Sequence, residues 1–98
     1  MKVMAFKGFD NVETFTVSQG DTDFDLSSAG FTSARVYADN QYVEGTISGS
    51  EVKATLGDLK VPAGTYCGKL VVFSEVYPDG LVIAGPGLPE RMDIVMKE

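Results

Sequence analysis

Apolar and polar positions alternate along most of the chain, and the alternation breaks repeatedly on Gly, Asp, Asn, Ser and Pro. A period of two is the spacing at which successive side chains leave opposite faces of a β-strand. Phe15 and Val17 face one way and Thr14 and Thr16 the other, while Thr22, Phe24 and Leu26 oppose Asp21, Asp23 and Asp25. Runs rich in Val, Ile, Thr, Phe and Tyr predict strands near Lys2–Lys7, Glu13–Val17, Thr22–Leu26, Ala34–Ala38, Tyr42–Ser48, Glu51–Leu56, Thr65–Tyr77, Leu81–Ala84 and Met92–Met96. Asp39-Asn40 suits a tight hairpin because both residues tolerate positive φ, and Ser48-Gly49-Ser50 separates two further strands. Tyr77-Pro78-Asp79-Gly80 carries proline at the second and glycine at the fourth position of a type I turn. Helical periodicity is nearly absent. The expectation is one all-β domain over residues 1–98, an antiparallel sandwich of about seven to nine short strands.

Parity also sorts the longest strand and the last one. Tyr66, Gly68, Leu70, Val72, Ser74 and Val76 share the face better suited to a core. Cys67, Lys69, Val71, Phe73 and Glu75 share the other, so Cys67 is expected to point outward or into a partly covered second layer. Met92, Ile94 and Met96 lie on one face of the last strand. With Met1 and Met4 at the other end of the chain, this predicts that both terminal strands help fill the core, in preference to a Met-rich exposed surface.

Composition narrows the chemistry. A net charge of −6 opposes binding to phosphates or anionic lipid, so neither nucleic acid nor membrane is expected as a partner. Histidine is absent, which removes the commonest general base and the commonest metal ligand. Neither a Ser-His-Asp nor a Cys-His set can then be built from this chain. Gly85-Pro86-Gly87 lacks the Lys-Ser/Thr of a phosphate loop. Cys67 is the one cysteine, so no internal disulfide is available and packing must hold the fold. The expectation is a protein that is not an enzyme and needs no cofactor or resident metal. MKVMAFKGFDNVE lacks the apolar core of a signal peptide, which predicts synthesis in the cytoplasm.

Two stretches invite a binding role. The run Asp21-Thr22-Asp23-Phe24-Asp25 places carboxylates at alternate positions, as the opening of an EF-hand loop does. Leu26 and Thr32 stand where that loop needs glycine and glutamate. A solvated strand face is therefore the primary reading, with a weak cation site as the alternative. Ala84-Gly85-Pro86-Gly87-Leu88-Pro89 is a Pro/Gly connection whose members Gly85, Pro86, Gly87, Leu88 and Pro89 could form a contact loop on a rigid scaffold.

Leu59-Lys60-Val61-Pro62-Ala63-Gly64-Thr65-Tyr66 resembles the Leu…Gly-x-Tyr corner of immunoglobulin-like sandwiches. In such a corner a tyrosine hydroxyl bonds backbone a few residues upstream, which gives Leu59, Gly64 and Tyr66 a structural role. Cys67 follows Tyr66 directly, not by two positions as in antibody domains, so the antibody disulfide pattern is absent. From about Glu13 to Met96 the layout resembles the small N-terminal sandwich domain of bacteriophage baseplate and other tail proteins. TFTVSQGDTDFDLS, FTSARVYADNQYVEG, GSEVKATLGDLKVPAGTYCGKLVVF and the closing GPGLPERMDIVMKE carry the likeness. It implies a non-enzymatic structural or assembly module of the virion, made in the host cytoplasm. Its implied partners are other virion proteins or further copies of itself, reached through a strand edge or the Ala84–Pro89 loop. The alternative is a bacterial carbohydrate- or surface-binding module in which Tyr37, Tyr42 and Tyr77 stack on sugar rings.

Overall fold

Ten strands and one 3-10 turn account for the regular structure in the computed structural model, which describes residues 2–19, 21–88 and 90–98. The strands are β1 (Lys2–Phe6), β2 (Val12–Thr16), β3 (Ser18–Gln19), β4 (Thr22–Asp23), β5 (Ser33–Ala38), β6 (Gln41–Ser48), β7 (Glu51–Thr55), β8 (Gly64–Phe73), β9 (Leu81–Ala84) and β10 (Met92–Lys97). The 3-10 turn is Leu56–Asp58. Eight strands form one mixed sheet in the order β1-β10-β8-β5-β6-β7-β2, with β9 on β8, and the sheet nearly closes into a barrel. The short hairpin β3–β4 stands apart from it.

The expectation of a wholly antiparallel sheet needs correcting. Strand β1 runs parallel to β10, from Lys2 opposite Asp93 to Phe6 opposite Lys97. No turn joins these two strands, so no local signal constrains their relative direction. Every other pairing among the described residues is antiparallel. The Asp39-Asn40 hairpin links β5 to β6, with Asp39 at φ 57°.

Strand β8 organises the sheet. Its first half, Gly64–Gly68, pairs with β10; its second half, Lys69–Phe73, pairs with β5. At the crossover a Cβ on Gly68 would lie 2.6 Å from Ile94 Cδ1 and 2.9 Å from the Tyr37 carbonyl oxygen, so no larger side chain fits without movement. Gly68, Leu70 and Val72 are buried, and with Val36, Val52, Leu56 and Ile94 they belong to a continuous apolar core. Burial of this kind contributes ~25 cal/mol per Å² of apolar surface.

Three local expectations also need correcting. Strand β8 stops at Phe73, not Tyr77, and Val76 is 79% exposed. Ser74 Oγ accepts the Tyr77 N–H at 3.1 Å and Gly80 N donates to the Tyr77 carbonyl at 3.1 Å, so the chain curls into a turn around Pro78. That turn lays Gly80 against Val71, which explains why Val71 is buried on the face opposite Val72. The predicted strand Thr22–Leu26 shrinks to Thr22–Asp23, because Asp25 Oδ1 captures the Ser28 N–H at 3.0 Å and starts a turn. Leu26 is nonetheless buried, its N–H bonded to the Gly49 carbonyl at 2.9 Å. Finally, Met92 and Met96 fill the core, but Met4 is 49% exposed and Ala5 takes the inward position of β1. Met1 lies outside the described residues.

Candidate functional site

The corner residues come together at the foot of β8. The Tyr66 hydroxyl donates to the Pro62 carbonyl oxygen at 2.6 Å, four residues upstream. Leu59 is buried beneath that loop, and Gly64 takes φ 152°, a conformation L side chains rarely adopt. This cluster ties the 3-10 turn to the start of β8.

The predicted contact loop lies beside it on the same edge of β8. Strands β9 and β10 both run antiparallel to β8 opposite β5, β9 beside Leu70–Val72 and β10 beside Gly64–Gly68. Between them Gly85 N donates to the Glu90 carbonyl at 2.9 Å and Leu88 N donates to the Gly85 carbonyl at 3.3 Å. Pro86 and Gly87 are exposed, Leu88 is partly covered and Gly85 is buried. Pro89 lies outside the described residues. Cys67 is exposed with its Sγ 3.5 Å from Arg91 Nη2, while Lys69 Nζ lies 5.6 Å from the Tyr37 ring centroid, over that ring.

Two surfaces emerge from the packing. The first is the outer face of β5, β6 and β8. Alternation there sets the Arg35 guanidinium over the Tyr42 ring at 4.3 Å and over Phe73 at 5.0 Å, with Arg35 Nε donating to Glu44 Oε1 at 3.1 Å. The Arg35 pKa is raised, chiefly by its hydrogen bond to the Tyr37 hydroxyl and then by Glu44 and Tyr42, against partial desolvation. Tyr37 and Tyr42 pack at 5.3 Å, so two of the three tyrosines expected to act together are neighbours. Tyr77 is elsewhere, stacked on Phe31 at 6.0 Å. Arg35 already occupies part of the aromatic surface that a sugar ring would need.

The second surface is an apolar groove of about 510 Å³. One wall comes from Val17 and Gln19 around β3, and the other from Leu81 and Ile83 on β9. Leu26 and Phe31 line it from the core, and Val76 and Tyr77 extend it into the turn. Among the described residues β3 pairs only with β4 and β9 only with β8, and the groove lies between these two strands. Sequence reasoning did not find it. The available signal is the apolar set Val76, Tyr77 and Leu81 around the Pro-Asp-Gly turn, of which alternation places Val76 and Tyr77 in a strand.

Asp21, Asp23 and Asp25 are exposed, Phe24 is half-buried opposite them, and no group of three or more His, Cys, Asp or Glu among the described residues could hold a metal ion. The pKa of Asp25 is lowered, mainly by the Ser28 N–H and then by the Ser28 side chain. The chain matches no protein-family model, no curated protein and no solved structure.

Proposed function

We propose that this chain is a non-enzymatic virion structural or assembly module of bacteriophage type, built as an immunoglobulin-like sandwich and acting through protein–protein docking. The observation that carries the docking role is the apolar groove beside the unpaired edge of β9, rimmed by Val76 at 79%, Tyr77 at 44% and Leu81 at 37% exposure. An open strand edge next to uncovered apolar surface is a ready acceptor for another chain. Support for the immunoglobulin-like reading comes from the neighbours β5-β8-β10 and β2-β7, which parallel the C-F-G and B-E pairings of that fold, and from the Tyr66–Pro62 bond. The virion setting rests on the likeness of the stretches from Glu13 to Met96 to tail-protein sandwich domains.

Co-expression with the products of neighbouring genes, followed by affinity capture and light scattering, tests the reading. The expected result is a stoichiometric complex with one of them. A strict monomer that captures none of them overturns it. The carbohydrate-binding alternative draws on the Tyr37–Tyr42 pair at 5.3 Å, with Tyr42 at 45% exposure. A glycan array showing binding that Tyr42→Ala abolishes would favour that reading over docking.

A further inference from the structure

The seam of the barrel is half filled. Along the β8 edge that carries β9 and β10, β10 is covered on its far side by β1, whereas β9 has no strand beyond it among the described residues. The uncovered half is where the groove lies, and its depth reaches the core residues Leu26 and Phe31. A strand placed there would pair with the side of Leu81–Ala84 turned away from β8 and send every second side chain into the groove.

The surrounding charge says what kind of strand. Residues 17–31 and 74–84, which supply the groove lining, contain Asp21, Asp23, Asp25, Glu75 and Asp79 and not one Lys or Arg. All five carboxylates are on exposed residues. A second copy presenting its own groove rim would bring the same sign of charge, and like charges facing one another are unfavourable. We propose that the groove accepts an extended segment of a different protein, with alternating apolar residues and Lys or Arg at its flanks, added as a strand to the free edge of β9.

This rests on the docking reading and deepens it by specifying the partner segment. The probe is a synthetic peptide, Lys-Val-Thr-Val-Thr-Val-Lys with blocked ends, compared with the same core flanked by Glu. Titration followed by amide NMR is expected to shift the Leu81–Ala84 and Val17–Gln19 signals. The Lys-flanked peptide is expected to bind at least ~10-fold tighter at low salt, with the advantage shrinking as salt screens the rim. The exposed double change Glu75→Lys and Asp79→Lys leaves the core untouched and is expected to remove most of the preference. Shifts confined to other surfaces, no binding, equal affinity for the two peptides, or self-association that fills the groove with a second copy would each overturn the proposal. A partner captured by co-expression whose binding is unchanged by the Glu75→Lys, Asp79→Lys protein would leave the docking role standing and remove this assignment alone.

Discussion

Removing one oxygen atom tests the corner that anchors β8. Tyr66→Phe keeps the half-buried ring and deletes only the hydroxyl that donates to the Pro62 carbonyl at 2.6 Å. A net intramolecular hydrogen bond contributes about 0.5–1.5 kcal/mol. The short length argues for the upper part of that range. Solvent access argues for the lower part, because Pro62 is exposed and water can take over its carbonyl. A loss of about 1 kcal/mol follows, which for a domain of this size lowers Tm by ~4–8 °C. Thermal unfolding followed by circular dichroism reads the shift. Tyr42→Phe is the control, since the Tyr42 hydroxyl lies on the open face of β6 with no hydrogen bond among the described residues. A Tyr66→Phe shift below ~1 °C, or one no larger than that of Tyr42→Phe, would refute the idea that this bond carries the loop.

Three other perturbations probe separate parts of the fold. Gly68→Ala pushes a methyl toward Ile94 and the Tyr37 carbonyl and is expected to cost about 1–3 kcal/mol, measured by urea unfolding with an unchanged m-value. Arg35→Ala removes a cation held against two rings as well as the Glu44 pair, and is expected to lower Tm; Arg35→Lys is expected to restore only part, because an ammonium lacks the planar fork. The pKa of Asp25 is lowered in the folded state, so its contribution is fully present above the ordinary value of 3.8 and is lost as pH falls through the lowered one. The Tm difference between the native chain and Asp25→Ala should therefore be steady near neutrality and shrink below that value in a pH series.

Much of the strand layout was legible because β-strands write their period into neighbouring residues. Leu81–Ala84 emerged with its boundaries intact, and β5, β6, β7 and β10 to within a residue or two. What was not legible depends on side chains that compete locally with the ladder or on contacts distant in sequence. Ser74 and Asp25 each bond a nearby backbone N–H and end a strand that alternation alone would continue. The outward turn of Met4 follows from β1 lying against β10, where Ala5 faces the core. The Tyr66 corner could be read because its parts sit within eight residues. The groove could not, since its walls come from segments some sixty positions apart that meet only when the sheet curls.

The contact between β1 and β10 has a consequence for how the protein is made. Its partners are the first and last of the described strands, so a loop of more than eighty residues must close before they pair. During synthesis from the N-terminus, Lys-Val-Met-Ala-Phe-Lys waits beside a half-built sheet until Met92–Lys97 is available. Two edges, the side of β1 that faces β10 and the first half of β8, are bare throughout that interval and are the surfaces through which unfinished chains would stick to one another. A chain clipped before Met92 loses the partner of both β1 and the first half of β8, and is expected to accumulate as aggregate.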